Sequence, residues 1–155
     1  MRFLEKYLFL LLSIIVASGC ETSYTYRVST PEGFAAYTRE KKYYKAISAD
    51  GVRIRVYTVL NDPPGDRKMW QGAIAHYLKG IGYHLKDQKE VRASDGLKGD
   101  YTEYLYRYNA RNYIYSLTLF ISGDTIYVLE AGGIEKEYRE RKSDLEKMIA
   151  GFSTK

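Results

Sequence analysis

Alternation of apolar and polar residues identifies the first strands of the chain. A strand-like run, Tyr43–Ser48, is separated by Asp50-Gly51 from a second run, Val52–Leu60. An Asp-Gly pair between two alternating runs is a strong hairpin signal. One face of the second run is apolar and the other is polar. The apolar face has Val52, Ile54, Val56 and Leu60, and the polar face has Arg53, Arg55 and Tyr57.

A helix with an apolar stripe is predicted after the turn-forming segment Asn61–Asp66. Asp66 can cap its N-terminus, and Gly80 can end it just after Lys79. Apolar residues then recur in steps of three and four, as expected for one helix face. They are Met69, Trp70, Ala73, Ile74, Tyr77, Leu78 and Ile81.

A shorter helix is predicted before the hairpin. Thr30 can cap it, and Pro31 suits its first position. Phe34 and Tyr37 follow with a spacing of three residues, so they would lie on one face.

Four further strand-like runs follow, and a helix closes the chain. The joints between the runs are short, so successive strands should pair antiparallel. Gly132-Gly133 is interpreted as the turn from the last strand to the closing helix, Ile134–Phe152. The four runs are Tyr83–Val91, Leu97–Asn109, Asn112–Ser122 and Thr125–Ala131. The apolar stripe of the closing helix predicts burial of Tyr138, Leu145, Met148, Ile149 and Phe152. This order predicts an α+β domain with a central antiparallel sheet of about six strands flanked by helices.

The N-terminus has the form of a secretory signal. Arg2 and Lys6 precede the apolar run Leu8–Ala17, and small residues follow it. The run is shorter than the roughly 20 apolar residues that a spanning helix needs. The predicted organisation is therefore a signal peptide over 1–19, a modified cysteine and short tether over 20–30, and one domain over 31–155.

Cys20 is the only cysteine, and Ala17-Ser18-Gly19-Cys20 resembles the lipobox of bacterial lipoproteins. The resemblance implies cleavage between Gly19 and Cys20, a diacylglyceryl group on the thiol, and acylation of the new amino terminus, for example with palmitate. Glu21 follows, where an Asp would favour inner-membrane retention in enterobacteria, so the expected location is the outer membrane facing the periplasm. An intermolecular disulfide or a catalytic thiol are the alternatives for Cys20.

Charge and composition narrow the classes of function. The 155-residue chain has a net charge of +5, and its basic clusters, Arg39–Lys45 and Lys136–Lys142, both contain acids. Such interleaving is typical of solvated surface, and an exported protein does not normally meet nucleic acid, so none is expected as a partner.

Several segments resemble the PsbP-like superfamily, which includes the DcrB-like envelope lipoproteins. The resemblance rests on Gly33–Tyr37, the hairpin Ala49–Thr58, the run Gly96–Tyr106 and the closing stretch Thr125–Phe152. It implies a PsbP-like α-β-α sandwich, with an antiparallel sheet covered by helices on both faces. Known members are mainly accessory and binding proteins, which implies a similar role here.

Motifs for catalysis, metal binding or cofactor binding are not recognisable. His76 and His84 are eight residues apart and lack further ligands at metal-site spacing. The sequence has no phosphate-binding glycine loop and no nucleophile elbow. We therefore expect no metal, no cofactor and no enzymatic activity; a hydrolase would need a buried acid or histidine that the sequence does not indicate.

Tyrosine is the one residue type in excess, with 17 of 155 residues. By alternation Tyr104, Tyr106 and Tyr108 share one face of a strand, and Tyr101 and Leu105 share the other. These rings could pack beneath the helices. Alternatively, Tyr104, Tyr106 and Tyr108 form a contact surface with the nearby Arg107 and Arg111, since Tyr and Arg are favoured at interfaces.

Together these features favour one function and leave one alternative. The favoured function is a lipid-anchored, non-catalytic accessory domain of the bacterial cell envelope that contacts a protein partner or membrane complex. The alternative is a lipoprotein that binds a small ligand in a Tyr-lined cleft between sheet and helices.

Overall fold

The computed structural model describes residues 25–37 and 43–154. Within these ranges the chain forms seven strands and two helices. The strands are β1 (Phe34–Ala36), β2 (Tyr44–Ser48), β3 (Arg53–Leu60), β4 (His84–Arg92), β5 (Lys98–Tyr108), β6 (Arg111–Ser122) and β7 (Thr125–Ile134); the helices are α1 (Arg67–Gly80) and α2 (Glu135–Gly151). The α+β prediction is confirmed.

All seven strands belong to one antiparallel sheet with the order β1-β2-β3-β7-β6-β5-β4. The hairpin at Asp50-Gly51 forms as predicted, with Gly51 at a φ of 91°. The crossing from β3 to β4 is made by α1, and β7 then inserts between β3 and β6. The long strands β6 and β7 therefore lie at the centre of the sheet, and their side chains form the middle of both of its faces.

Helix α2 covers one face of the sheet, and the main core lies between them. Tyr138 and Phe152 are fully buried, and Leu145, Met148 and Ile149 are nearly so, as the stripe predicts. Phe152 stacks on Phe120 of β6 with ring centroids 5.2 Å apart. Full burial of such side chains contributes about 1.5–3 kcal/mol each, so this layer supplies much of the stability of the domain.

Helix α1 covers part of the opposite face. The side chain of Asp66 accepts a hydrogen bond from Met69 N at 2.7 Å, which confirms the predicted cap. Trp70 and Ile74 pack on a second apolar cluster formed by Leu117, Leu119, Ile126 and Val128. The predicted stripe is too broad, because Tyr77 and Ile81 remain exposed.

Three expectations from the sequence need correction. The sheet has seven strands rather than about six, because the predicted helix after Pro31 is instead the edge strand β1. Gly33 takes a φ of 77°, which ends the turn there and directs the chain into pairing with β2. Gly132 and Gly133 are not a turn but lie inside β7, where they pair with β6.

Several predictions concern residues outside the described ranges. They are the signal segment, the cleavage site at Gly19 and the lipid attachment site at Cys20. Tyr26, within the segment predicted as a tether, is buried against the domain, and its hydroxyl donates to Val56 O at 2.8 Å. Neither helix of the described ranges combines the length and the apolar character needed to cross a bilayer.

Candidate binding groove

The sheet face that carries α1 is only partly covered. Helix α1 approaches β4, β5 and β6 and leaves the face open around Arg53, Tyr113 and Gly132. Gly132 pairs with Arg53 on one side and Tyr115 on the other, so the missing side chain leaves a depression between these two. A Cβ at this position would lie only 3.2 Å from Ile114 O, so the backbone itself forms the floor.

A groove of about 420 Å³ runs from this floor toward β5. We call it the tyrosine groove; it is lined by Tyr83, Tyr106, Tyr108, Tyr113, Tyr115, Gly132 and Gly133. Four of its five rings form a continuous array, in which Tyr83 stacks on Tyr106 at 4.7 Å and contacts Tyr115 edge-on at 5.8 Å. The rings of Tyr106 and Tyr108 are nearly parallel, at 11°, with centroids 6.5 Å apart.

The structure separates the predicted contact residues into three environments. Tyr104 is only 2% exposed and its hydroxyl has no hydrogen-bond partner among the described residues, so it is a core residue beneath the array. Tyr106 is partly buried and Tyr108 is 56% exposed, and both line the groove. Arg111 is exposed and pairs with Tyr108 across the strands, whereas Arg107 alternates with Tyr106 and Tyr108 and belongs to the opposite face.

A second depression of about 460 Å³ continues the first toward β2, and the two share Tyr115 and Gly132. We call it the charged groove; it is lined by Tyr37, Lys45, Arg53, Ile54, Arg55, Tyr115, Glu130, Ala131 and Gly132. The two grooves together cross the sheet from β5 to β2.

Glu130 organises the wall of the charged groove. Its carboxylate accepts from Arg55 Nε at 2.7 Å and forms an ion pair with the same guanidinium. The other oxygen accepts from the hydroxyls of Tyr57 at 2.8 Å and Tyr115 at 3.0 Å. Arg55 also lies over the ring of Tyr57, 4.7 Å from its centroid. This carboxylate is therefore fully engaged within the protein and is not available as a general base.

The electrostatics of these groups follow from burial and pairing. Burial, and then the charge of Glu130, raise the pKa of both Tyr57 and Tyr115 well above the usual value for a phenol. Burial alone would lower the pKa of Arg55, but its hydrogen bonds to Glu130 outweigh this and raise it. The wall of the charged groove thus consists of two neutral phenols beside the ion pair of Arg55 and Glu130.

An exposed guanidinium lies at the β2–β3 end of the charged groove. Arg53 is exposed and makes no ion pair with any residue in the described ranges. Lys45 lines the same depression, with its Nζ 5.5 Å from the centre of the Tyr43 ring. Because Glu130 is already neutralised by Arg55, it leaves the charge of Arg53 without a counter-charge from this carboxylate.

A buried acid lies on the opposite face. Glu103 is 1% exposed and pairs with Arg139 at 2.6 Å and Lys142 at 2.9 Å, and it accepts from Tyr101 Oη at 2.8 Å. Burial opposes its ionisation, but the hydrogen bonds from Lys142, Tyr101 and Arg139 prevail and lower its pKa. Since both cations come from α2, this cluster fixes the helix to β5.

His76 and His84 are both exposed, on α1 and β4. Over residues 25–37 and 43–154, side chains of His, Cys, Asp and Glu do not gather in threes as a metal site would require. Sequence reasoning missed Tyr83 and Glu130 as groove residues. A single carboxylate in the otherwise apolar run of β7 was a usable signal for Glu130, whereas Tyr83 reaches the groove only through the packing of β4 on β5.

Comparisons with known proteins show the fold. No model of a known protein family matches the chain, and no curated protein matches its sequence. It is similar to LpqN of Mycobacterium tuberculosis, a protein involved in cell envelope biogenesis, with a TM-score of 0.66, 13% identity, and 88% of this chain and 86% of that chain covered.

Two further solved structures are similar. Cyanobacterial PsbP from Synechocystis has a TM-score of 0.58 and 11% identity, over 83% of this chain and 86% of that one. PA94 of Pseudomonas aeruginosa, of unknown function, has a TM-score of 0.58 and 7% identity, over 74% and 92%. The chain therefore has a PsbP-like fold, as the sequence resemblance implied.

Proposed function

We propose that this chain is a lipid-anchored, non-catalytic binding protein of the bacterial cell envelope. In this proposal Cys20 carries the anchor, and the open sheet face engages a protein partner or membrane complex. The observation that carries the binding role is the pair of adjoining grooves, where tyrosine rings and the guanidinium of Arg53 are accessible on the open sheet face. Aromatic and Arg side chains are the residue types that interfaces prefer.

Two further observations support the proposal. LpqN, which shares the fold, takes part in cell envelope biogenesis, and PsbP-like proteins are mainly accessory proteins. Glu103 is buried and Glu130 is partly buried, and each carboxylate forms an ion pair and accepts hydrogen bonds from tyrosine hydroxyls. The pKa of Glu103 is lowered by these partners, whereas a general acid at neutral pH needs a raised one, and this favours binding over catalysis.

The anchor is tested by mass spectrometry of the protein from its own membranes. The expected result is an N-terminal Cys20 that carries a thioether-linked diacylglyceryl group and an acylated amine. Cys20→Ser should shift the protein to the soluble fraction, while Ser18→Ala should leave it in the membrane because it keeps a small residue. An unmodified wild-type Cys20 in a soluble protein would contradict the anchor. Separation of inner and outer membranes then tests the expected outer-membrane location.

The binding role is tested by photocrosslinking in intact cells. A photoreactive phenylalanine analogue replaces Tyr108, which is 56% exposed in the tyrosine groove, or Tyr77, which is 66% exposed on α1. We expect a reproducible adduct from position 108 and none of the same mass from position 77. Equal labelling from both positions would show that the open face is not the binding surface.

The second candidate function is a small-ligand carrier, and the groove volumes of about 420 and 460 Å³ favour it, since ligand sites usually measure about 300–1,000 Å³. These two depressions lie on the exposed sheet beside α1, whereas the sequence predicts a cleft between sheet and helices. A smaller depression of about 280 Å³, lined by Tyr101 and Ile149, does lie between the sheet and α2. If the protein is a carrier, native mass spectrometry of wild type released from membranes should show a bound small molecule, and the same molecule should be absent from Tyr108→Ala.

A further inference from the structure

We infer that the tyrosine groove and the charged groove together bind an acidic glycan chain. This inference rests on the proposal that the open sheet face is the binding surface of the domain. It assigns the apolar faces of the sugar rings to the tyrosines and the carboxylate or phosphate groups of the chain to the cationic end.

The tyrosine rings suit the amphipathic surface of a sugar. A pyranose has an apolar C–H face and a rim of hydroxyls, and a phenol has an apolar ring with one polar tip. Tyr106 and Tyr108 offer nearly parallel rings 6.5 Å apart on one strand face. Their hydroxyls, and those of Tyr83 and Tyr113, have no hydrogen-bond partner among the described residues. Four phenol groups around one groove can therefore donate to or accept from a ligand.

The length of the surface indicates a chain rather than a single ring. The two grooves share Tyr115 and Gly132 and run from Tyr106 on β5 to Lys45 on β2. In the sheet order this path crosses four strand spacings, a distance of about 19 Å. Gly132 lets a ligand pass at the midpoint because it has no side chain to block the floor.

The charge at the β2–β3 end indicates an acidic ligand. Arg53 has no ion-pair partner in the described ranges, and Lys45 lines the same depression. Glu130, the carboxylate that lines the same groove, is paired with Arg55 and does not neutralise Arg53. A guanidinium binds carboxylate and phosphate oxygens in bidentate geometry, so an anionic group at this end would gain a charge-assisted hydrogen bond.

The position of the grooves disfavours an extended peptide as the occupant. An added strand pairs through the backbone of a sheet edge. These grooves instead lie across the face of the sheet, where β3, β7 and β6 are paired on both sides, although the end of β5 beyond Leu105 pairs with β6 alone. A peptide lying across the three central strands would gain no main-chain ladder, whereas a glycan needs only stacking and side-chain hydrogen bonds.

The test uses the full chain purified from membranes in detergent and isothermal titration calorimetry. The probes are a tetramer of galacturonic acid and the neutral maltotetraose. We expect the acidic tetramer to bind at least about tenfold more tightly, as one charge-assisted hydrogen bond allows. Arg53→Gln should remove this preference, and Tyr108→Ala should weaken both sugars severalfold. Lys68→Gln and Tyr77→Ala, exposed changes on α1, are the matched controls.

The outcomes separate this inference from the proposal beneath it. Equal affinity for both sugars, or loss of binding in the control variants, overturns the acidic-glycan assignment. Failure of both sugars to bind, together with a groove-specific crosslink from position 108, overturns the glycan and leaves the binding surface intact. Binding of an acidic proline-rich peptide in competition with the tetramer also overturns it. Absence of both sugar binding and crosslinks overturns both proposals.

Discussion

The ring of Tyr83 stacks on the ring of Tyr106, with centroids 4.7 Å apart and planes 20° apart. Tyr83 lies between α1 and β4, and Tyr106 lies near the end of β5. The pair joins the segment after α1 to the sheet and forms one wall of the tyrosine groove. Burial, together with the neighbouring Tyr106, raises the pKa of Tyr83, which agrees with a ring that is held against its partner rather than in solvent.

A double-mutant cycle on this pair tests whether the two rings are coupled. Tyr83→Leu and Tyr106→Leu remove the stacking and keep most of the apolar volume. We expect a coupling energy of about 0.5–1.5 kcal/mol in urea unfolding, as measured for aromatic pairs in general. The cycle of Tyr77→Leu with Tyr106→Leu is the control, since Tyr77 has no ring contact with Tyr106, and its coupling should be below about 0.5 kcal/mol. Equal coupling in both cycles would contradict a specific stack.

Glu130→Gln tests the ion pair and the two phenols of the charged groove. The amide keeps an acceptor for one hydroxyl but leaves Arg55 without a counter-charge. Because the Arg55 side chain is 48% exposed, water compensates part of the loss, and we expect the free energy of unfolding to fall by only about 1–2 kcal/mol. Glu140→Gln, an exposed change on α2, should have an effect within about 0.5 kcal/mol.

Glu130→Gln should also change how Tyr57 and Tyr115 ionise at alkaline pH. After burial, the charge of Glu130 is the next cause that raises the pKa of Tyr57 and Tyr115. Phenols with a raised folded pKa give stability that is fully present below their unfolded pKa of about 10 and lost as the pH rises above it. In Glu130→Gln, tyrosinate absorbance should appear at a lower pH than in wild type. An unchanged titration curve would show that the charge does not act on these phenols.

Local signals predicted the parts of the fold that local chemistry determines. The Asp66 cap and the Asp50-Gly51 turn depend on side chains a few residues away, and the apolar spacing in α2 repeats over several turns. Strand β1 could not be predicted in this way. It has three residues, and it is a strand only because Phe34–Ala36 meets β2 at the edge of the sheet, whereas Pro31 and the spacing of Phe34 and Tyr37 favour a helix.

The candidate site was predictable in composition but not in arrangement. Alternation correctly placed Tyr106 and Tyr108 on one strand face, and their register with β6 follows from a short turn. The burial of Tyr104 depends on α1 and β4, which cover one part of the face and leave the next part open. The ion pairs of Glu103 were likewise not predictable from local sequence, because its partners Arg139 and Lys142 are distant in sequence and lie on α2.

Glu103→Gln tests the role of the buried acid beneath α2. The change leaves two cations without their carboxylate, but both are partly exposed. We therefore expect a loss of about 2–3 kcal/mol at neutral pH, the range for hydrogen bonds to charged groups. The lowered pKa of Glu103 contributes stability that is present above the unfolded pKa of about 4.3 and lost as the pH falls through the folded pKa.

The pH dependence distinguishes this charge effect from lost packing. Wild type should lose stability in acid more steeply than Glu103→Gln, so that the difference in their free energies of unfolding narrows as the pH falls below the unfolded pKa of about 4.3. Glu146→Gln removes an exposed ion pair with Lys89 instead, and it should leave the acid slope near that of wild type. A constant difference between wild type and Glu103→Gln at every pH would contradict the ionic role.

Two glycine substitutions should change stability in opposite directions. A Cβ at Gly99 of β5 would lie 2.5 Å from the fully buried ring of Phe120 and 2.8 Å from Leu119 O. Gly99→Ala therefore overpacks the core beneath α2, and we expect a loss of about 1–3 kcal/mol. Gly72, inside α1, has no atom near the position of an added Cβ, so Gly72→Ala should add about 0.5–1 kcal/mol through helix propensity. Urea unfolding of both variants measures the difference, and stabilisation by Gly99→Ala would contradict the packing of Phe120 over this glycine.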